Sequence, residues 1–388
     1  MHQTAAFLDD HVLPNVALRQ WVLAPPFALV GLLAARHDIL THMNRIFIDA
    51  VFRWLRADSG AGAGVHRVHC GAVTFIQRFS GSLLVFPHLH VIALDGVYAP
   101  SDAQDLPRFI PTSAPSDNDT RDVADQVARR MARLVERLGL LDAAGSTDPT
   151  PLCRWYAGVH REPAGLARVE ASGAIEVDPP QPRLADSAHG FSVHARIHVQ
   201  KGDQAGRERL LCYAARPPWA DAQLSETADG RIAVALRKSR PGGQTHVVLE
   251  PLRLPPLAWL IPLPRRHQIR FHGVLAPAAS LRKKIVPTLT AATPAPESSV
   301  SASAHDDHRR PKPKNAASIS WAQLLRRTYD IDAECCEKCG ERLRPVAVIL
   351  DPEIARKILV HLELPTEPPR FFPRPSAPFG PEGLRAPP

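Results

Sequence analysis

The sequence predicts an α+β domain built around a mainly antiparallel sheet, and three observations carry that reading. Several segments alternate apolar and polar residues with a period of two, and others repeat apolar residues every three or four positions. Their order along the chain is strand, helix, strand, strand, helix, strand, helix, hairpin.

The first strand is "ALRQWVLAPP", stopped by Pro25 and Pro26. In "DILTHMNRIFIDAVFRWLR", Ile39, Met43, Ile46, Phe47, Ala50, Val51 and Trp54 keep the helical period. "GAVTFIQRF" and "LLVFPHLHVIAL" follow as two strands separated by the turn residues "SGS". Residues 119–138 give the clearest helix, with Val123, Val127, Met131, Leu134 and Leu138 inward and Gly139 as its C-cap. Arg129, Arg130, Arg133 and Arg137 crowd its polar side, either as a solvated face or as a nucleic-acid contact. "GFSVHARIHV" alternates as a strand, and "DQAGRERLLCYAARPP" reads as a helix with Asp203 as N-cap and Pro217-Pro218 as its stop. "RIAVALRKS" and "THVVLEPL", joined through "RPGGQ", form a hairpin.

At 388 residues the chain suits two or three domains. Residues 1–283 form the α+β domain, with a helical insertion at about 105–185. Residues 284–318, poor in large apolar side chains, read as a flexible linker. A small helical module covers 319–364, and the proline-rich tail 365–388 is expected to be disordered.

Lysine and arginine total 47 against 39 acidic residues, a net charge of +8, and arginine supplies most of it. A planar guanidinium grips phosphate through two donors, so the balance leans towards a polyanionic partner. Six cysteines in so long a chain do not make a disulfide scaffold and point to a reducing compartment. With no basic leader at the N-terminus, and "FALVGLLAA" far short of a membrane span, a soluble, cytoplasmic protein without membrane association is expected.

Two features carry chemistry. In "FPHLHVIALD" the alternation of a strand puts His88 and His90 on one face, close enough to share a divalent ion, while Leu89 turns to the core. Hydrogen-bonded core histidines would show the same spacing. On the helix, Tyr213 has Arg209 four residues before it and Arg216 three after, so both cations can share its face. Positive charge there favours phenolate and binds a phosphate, which is what a tyrosine nucleophile requires. An amphipathic helix with Tyr and Arg at its solvent border is the plainer alternative.

A hydrophobe between two histidines on a strand, followed by a helix with a lone tyrosine, resembles the HUH superfamily of single-strand DNA nucleases. "ALRQWVLAPPFAL", "GAVTFIQRFSGSLLVFPHLHVIALDGVY", "LCYAARPPWADAQLSETADGRI", "THVVLEPL", "RRHQIRFHGVLAP" and "WAQLLRRTYDIDAECCEKCGERLRPVAVILDPEIARKILVHLEL" are similar, in that order, to the rolling-circle transposases of insertion-sequence family 91. That resemblance implies a sheet with helices on one face, His88 and His90 as ligands of Mg²⁺ or Mn²⁺, and Tyr213 as nucleophile. Gln77, on the adjoining strand, is the candidate third ligand, with a hydrogen-bonding surface glutamine as the alternative. Arg209 stands where some members carry a second tyrosine, so the chain resembles the single-tyrosine branch.

The implied partners are single-stranded DNA at transposon ends and target, with host replication machinery extending the 3′ end. Relatives carry an N-terminal cysteine-rich zinc-binding module upstream of the segment that here follows Met1. The sequence is therefore also compatible with a catalytically inactive DNA-binding remnant. A metal-dependent hydrolase would use the histidine pair but leave Tyr213 idle. Cys336 and Cys339 form one half of a zinc-site spacing, with Cys335 and His361 as candidates to complete it. His246 and His272 lie in recurring blocks, as phosphate contacts or core residues.

Overall fold

The computed structural model describes residues 1–60, 68–80, 85–100, 107–141, 151–152, 186–217, 223–236, 243–251, 268–286, 320–329, 331–336, 339–343, 349, 351–364 and 366. Apart from residues 284–286 and 366, the expected linker and the proline-rich tail lie outside these, as does most of the second half of the expected helical insertion. The chain divides into two compact units, Val12–Thr288 and Met1–His11 with Leu289–Pro388.

In the larger unit the elements, numbered in chain order, are β1 (Leu18–Ala24), α2 (Phe27–Ala35), α3 (His37–Asp58), β2 (Gly71–Phe79), β3 (Val85–Leu94), β4 (Gly96–Ala99), β5 (Arg108–Pro111), α4 (Asp117–Arg137), β6 (Asp186–Ala188) and β7 (Phe191–Val199). They continue with α5 (Gln204–Ala214), β8 (Leu224–Glu226), β9 (Ile232–Ala235), β10 (His246–Leu249), β11 (Ile269–Gly273) and the short α6 (Arg282–Ile285). Six strands form one sheet in the order β11-β2-β3-β1-β7-β6, every neighbouring pair antiparallel. The fold is α+β, as the element order implies. β9 and β10 pair as the expected hairpin in a separate sheet with β8, and residues 237–242 between them lie outside the described set.

Alternation decides what each face of the main sheet meets. Trp21, Leu23, Leu89, Val91, Ala93 and Val193 point to one side and form the core with the apolar stripes of α2, α3 and α4. Trp21 lies against Trp54 of α3, ring centroids 5.3 Å apart. α4 starts at a capping box: the Ser116 hydroxyl accepts from Asp119 N–H at 3.2 Å, and the Asp119 carboxylate accepts from Ser116 N–H at 2.7 Å. It ends before Gly139 at φ +62°, as the C-cap reading requires.

Expected helices on one face need a correction, because α5 covers the other side of the sheet. Leu210, Leu211 and Ala214 are buried there, and its Tyr213 meets His90, which points away from the Leu89 side. The reason is that both faces of the central strands are apolar: Leu18, Ile92, Leu94, Val73 and Phe75 are buried as thoroughly as the residues on the other side. One helix layer would leave them wet.

Two long-range features fix the sheet. Arg19 grips Asp95 through Nε and Nη2 at 2.7 and 2.8 Å, and its Nη1 donates to the Ala195 carbonyl at 3.0 Å. His272 on the edge strand β11 is half-buried, its Nε2 3.0 Å from the Thr74 hydroxyl and 3.5 Å from the side-chain amide of Asn44 on α3, a packing role between sheet and helix. Burial, with Arg270 beside it, pushes the His272 pKa down to about 4. Between about 4 and 6.5 the unfolded chain therefore holds the proton that the folded chain refuses. Stability falls as pH drops through that window, by up to about 3 kcal/mol for this one group. Urea midpoints of wild type and His272→Gln compared from pH 7 to pH 4 should converge as the pH falls.

In the smaller unit, α1 (His2–His11), α7 (Trp321–Tyr329) and α8 (Pro352–His361) are formed. Arg327 of α7 holds both oxygens of Asp10 at 2.8 and 2.9 Å and Asp9 at 2.9 Å. The ion pairs join the first turns of the chain to its C-terminal part.

Candidate active site

β3 is a central strand, and its outward face on the α5 side carries both histidines. Their ring centroids are 5.0 Å apart. His90 meets the Tyr213 ring edge-on at 5.6 Å, and the Arg216 guanidinium lies over the same Tyr213 ring, its Cζ 4.9 Å from the centroid. Four residues chosen from the sequence thus converge from a strand and from the last turn of a helix with the segment just after it, more than a hundred positions apart.

The helix is held at both ends. Asp203 caps its first turn by accepting from Gly206 N–H at 2.8 Å. The buried Arg207 donates to the carbonyls of Val16 at 3.1 Å and Leu13 at 3.3 Å, which pins α5 to the segment leading into β1. At the far end Gln77 of β2 donates its Nε2–H to the Ala214 carbonyl at 3.1 Å. Gln77 stands directly opposite His88 in the β2–β3 register, so the same side chain borders the histidine pair and ties down the residue after Tyr213. Arg209, one turn before Tyr213, is half-buried on the same helix.

Hydrogen bonding sets the tautomers. A carbonyl only accepts, so the 2.7 Å contact between His88 Nδ1 and the Phe86 carbonyl puts the proton on Nδ1 and leaves the Nε2 lone pair open. His90 Nδ1 lies 2.8 Å from the side-chain amide of Gln20 on β1, whose Oε1 is buried without a hydrogen-bond partner. The two orientations of that amide have the same shape. With Oε1 towards the ring, the Nδ1–H of His90 donates to it, and the second Nε2 lone pair opens as well. Sequence reading missed Gln20, although a glutamine between Arg19 and Trp21 on an otherwise apolar strand is the signal for it.

Electrostatics agree with neutral rings. Burial is the main cause lowering the pKa of both; the Phe86 carbonyl opposes it at His88, and the Arg216 charge adds to it at both. At His90 the neighbouring rings of His88 and His194 add further. A neutral imidazole is the form that ligates a metal, so no proton has to be displaced at physiological pH. Among the described residues no group of three or more His, Cys, Asp or Glu side chains stands at metal-binding spacing. An ion at His88 and His90 would have to complete its shell with the Gln77 amide oxygen, substrate phosphate oxygens and water, a donor set that suits a hard divalent cation.

The cysteine pair lies in the smaller unit. The ends of Cys336–Cys339 are drawn together by the hydrogen bond from Gly340 N–H to the Cys336 carbonyl at 2.9 Å, but Cys335 and His361 do not complete a cluster there. His246 lies exposed on β10, 2.9 Å from the Thr245 hydroxyl. None of the described helices is long and apolar enough to cross a membrane.

Neither curated proteins nor solved structures give a match to the chain. Residues 71–284 match the family described as "Putative transposase". The matched segment runs from β2 through α6 and contains Gln77, His88, His90, Tyr213 and Arg216. It covers more than half of the 388 residues, and the chain belongs to that transposase family.

Proposed function

We propose that this transposase nicks and rejoins single-stranded DNA through Tyr213, in the manner of the HUH rolling-circle enzymes of insertion-sequence family 91. The observation that carries the reading is the stacking of His88, His90, Tyr213 and Arg216 into one contiguous cluster. Core histidines would not need a tyrosine and an arginine from another element against them.

His88 and His90, with Gln77 as third donor, would hold Mg²⁺ or Mn²⁺. When bound, the ion supplies Lewis-acid polarisation of a non-bridging phosphate oxygen. Tyr213 Oη attacks the phosphorus in line, the P–O3′ bond breaks, and the departing O3′ leaves as a hydroxyl once protonated. The product is a 5′-phosphotyrosyl ester and a free 3′-OH. Arg216, over the phenol ring, stands ready for the phosphate charge. Because the ester conserves the energy of the broken bond, rejoining needs no nucleotide triphosphate. The free 3′-OH could prime extension by host polymerase.

The test is to incubate the protein with labelled single strands from the element's own ends, with Mn²⁺, Mg²⁺ or EDTA. A detergent-stable adduct, mapped by mass spectrometry to Tyr213 and lost in EDTA, is the expected result. DNA binding without any adduct would mark the chain as an inactive remnant and end this reading.

Gln77 has two roles here, and one substitution divides them. Gln77→Glu keeps an oxygen for the ion but turns a donor towards the Ala214 carbonyl into a second acceptor. The expected result is Mn²⁺ binding at least as tight as wild type by calorimetry, with adduct formation slowed about 10-fold or more as the end of α5 loosens. Weakened Mn²⁺ binding with an unchanged rate at saturating metal would remove the clamp role.

A further inference from the structure

The side of the sheet away from Tyr213 is covered by α3, and the outer face of that helix is unusually basic. His42, Arg45, Asp49, Arg53 and Arg56 recur every three or four residues along α3, and all are exposed or half-exposed. The carboxylates on this face are already engaged. Asp49 is held by Arg130 of α4 at 2.9 Å, Asp38 by Arg36 at 2.8 Å, and Asp58 accepts from Ser113 N–H and Oγ–H at 2.7 Å each. Among the described residues neither Arg45 nor Arg56 forms an ion pair. At the start of the stripe Arg270 reaches over from β11 to the Thr41 hydroxyl at 3.0 Å and to His37 at 3.2 Å. The like charge of Arg45 is felt at its guanidinium.

At its other end the stripe opens into two adjoining cavities, of about 560 and 170 Å³, which share Phe52, Arg56 and His69. The larger adds Arg53, Arg130 and the Asp49 carboxylate that Arg130 holds, and with Arg56 is a mouth of net positive charge. The smaller, lined by Gly273, Val274 and Leu281, is apolar. Arg56 lies over the Phe52 ring, 5.9 Å from its centroid, at the junction of the two. A ligand matching this must carry spaced negative charges and at least one flat apolar group.

We propose that the α3 face is a track for a single DNA strand, with phosphates on Arg45, Arg53, Arg130 and Arg270 and one base received by the cavity beside Phe52 and Arg56. A duplex keeps its bases stacked and has none to offer, whereas single strands are held by such pairing of guanidinium and aromatic faces with unstacked bases. From Thr41 to Arg56 the helix rises about 22 Å, enough for a short site of about four nucleotides. The track lies on the face of the sheet opposite Tyr213, so it holds a strand, or a stretch of one, remote from the phosphate being cut. It rests on the handling of DNA by the family and not on the tyrosine chemistry.

The experiment uses full-length Tyr213→Phe protein in EDTA, so that neither cleavage nor metal contributes, and a short fluorescein-labelled single strand of mixed sequence read by anisotropy. Adding Arg45→Ala and Arg56→Ala, both at surface positions where alanine suits the helix, should raise Kd about 10-fold. It should also make the slope of log K against log salt shallower by about 0.7, the share of the one phosphate contact, at Arg45, that the pair removes from a single strand. The same charge removed at Arg133 and Arg137, exposed on α4, should cost less. Equal losses for the two pairs, or wild-type affinity and slope for Arg45→Ala/Arg56→Ala, would overturn the track. Competition by duplex as strong as by single strand would overturn the choice of ligand.

Discussion

Tyr213→Phe should abolish the covalent DNA adduct, with a fall in cleavage of about 10⁴-fold or more, the scale seen when a nucleophile is removed from a site whose other parts survive. The substitution removes one oxygen and leaves the ring, so the edge-on contact with His90 and the cation over its face persist. Folding and DNA affinity should therefore stay close to wild type. Arg216→Ala should act differently. It keeps the nucleophile and removes the charge above it, and a loss of about 10²-fold in rate is expected. Single-turnover cleavage of a labelled single strand in saturating Mn²⁺ measures both. A Tyr213→Phe protein that still forms the adduct would move the nucleophile elsewhere.

The second large effect is on stability. Asp95→Ala should cost about 3–5 kcal/mol, because it leaves the Arg19 guanidinium charged and buried with its two Asp95 bonds gone. Arg19 and Asp95 are only 5% and 3% exposed, so water cannot step in. His198 also reaches Asp95, at 3.2 Å, and the Asp95 N–H donates to the Ala17 carbonyl, so the carboxylate gathers β1, the end of β3 and β7. Against a typical total of about 5–15 kcal/mol, the loss is severe. The joint change Arg19→Met with Asp95→Leu should recover most of it, since the cost lies in the orphaned charge and not in the absence of the pair. Urea midpoints at constant m-value decide the comparison. A single variant as stable as wild type would mean the pair adds nothing to the sheet.

Much of the fold was legible because its signals are local. The alternation in "GAVTFIQRF" and "FPHLHVIAL", the 3.6-residue stripe from Ile39 to Trp54, Asp203 at the start of the tyrosine helix and Gly139 after α4 all act within a few residues of themselves. The site was legible for the same reason in its parts: His88 and His90 share a face by strand geometry, and Arg216 follows Tyr213 by three residues, just past the end of α5. β11 was not assigned as a strand, since "QIRFHG" is short and mixes charge with apolar residues. It becomes a strand only by pairing with β2 at the sheet's edge.

By itself, the sequence determined that the chain is α+β, that two imidazoles stand together on one strand, and that a tyrosine shares a helix face with arginine. Periodicity and capping settle those within a turn or a pleat. Only the tertiary structure decided that the two faces meet. It put α5 on the side of the sheet away from α3, brought Gln20 to His90 across 70 positions and Gln77 to Ala214 across 137, and buried Arg19 against Asp95 across 76. No local propensity encodes such partners, because each depends on the burial of apolar surface from elements distant in the chain, and that burial chooses strand order and the helix-bearing faces.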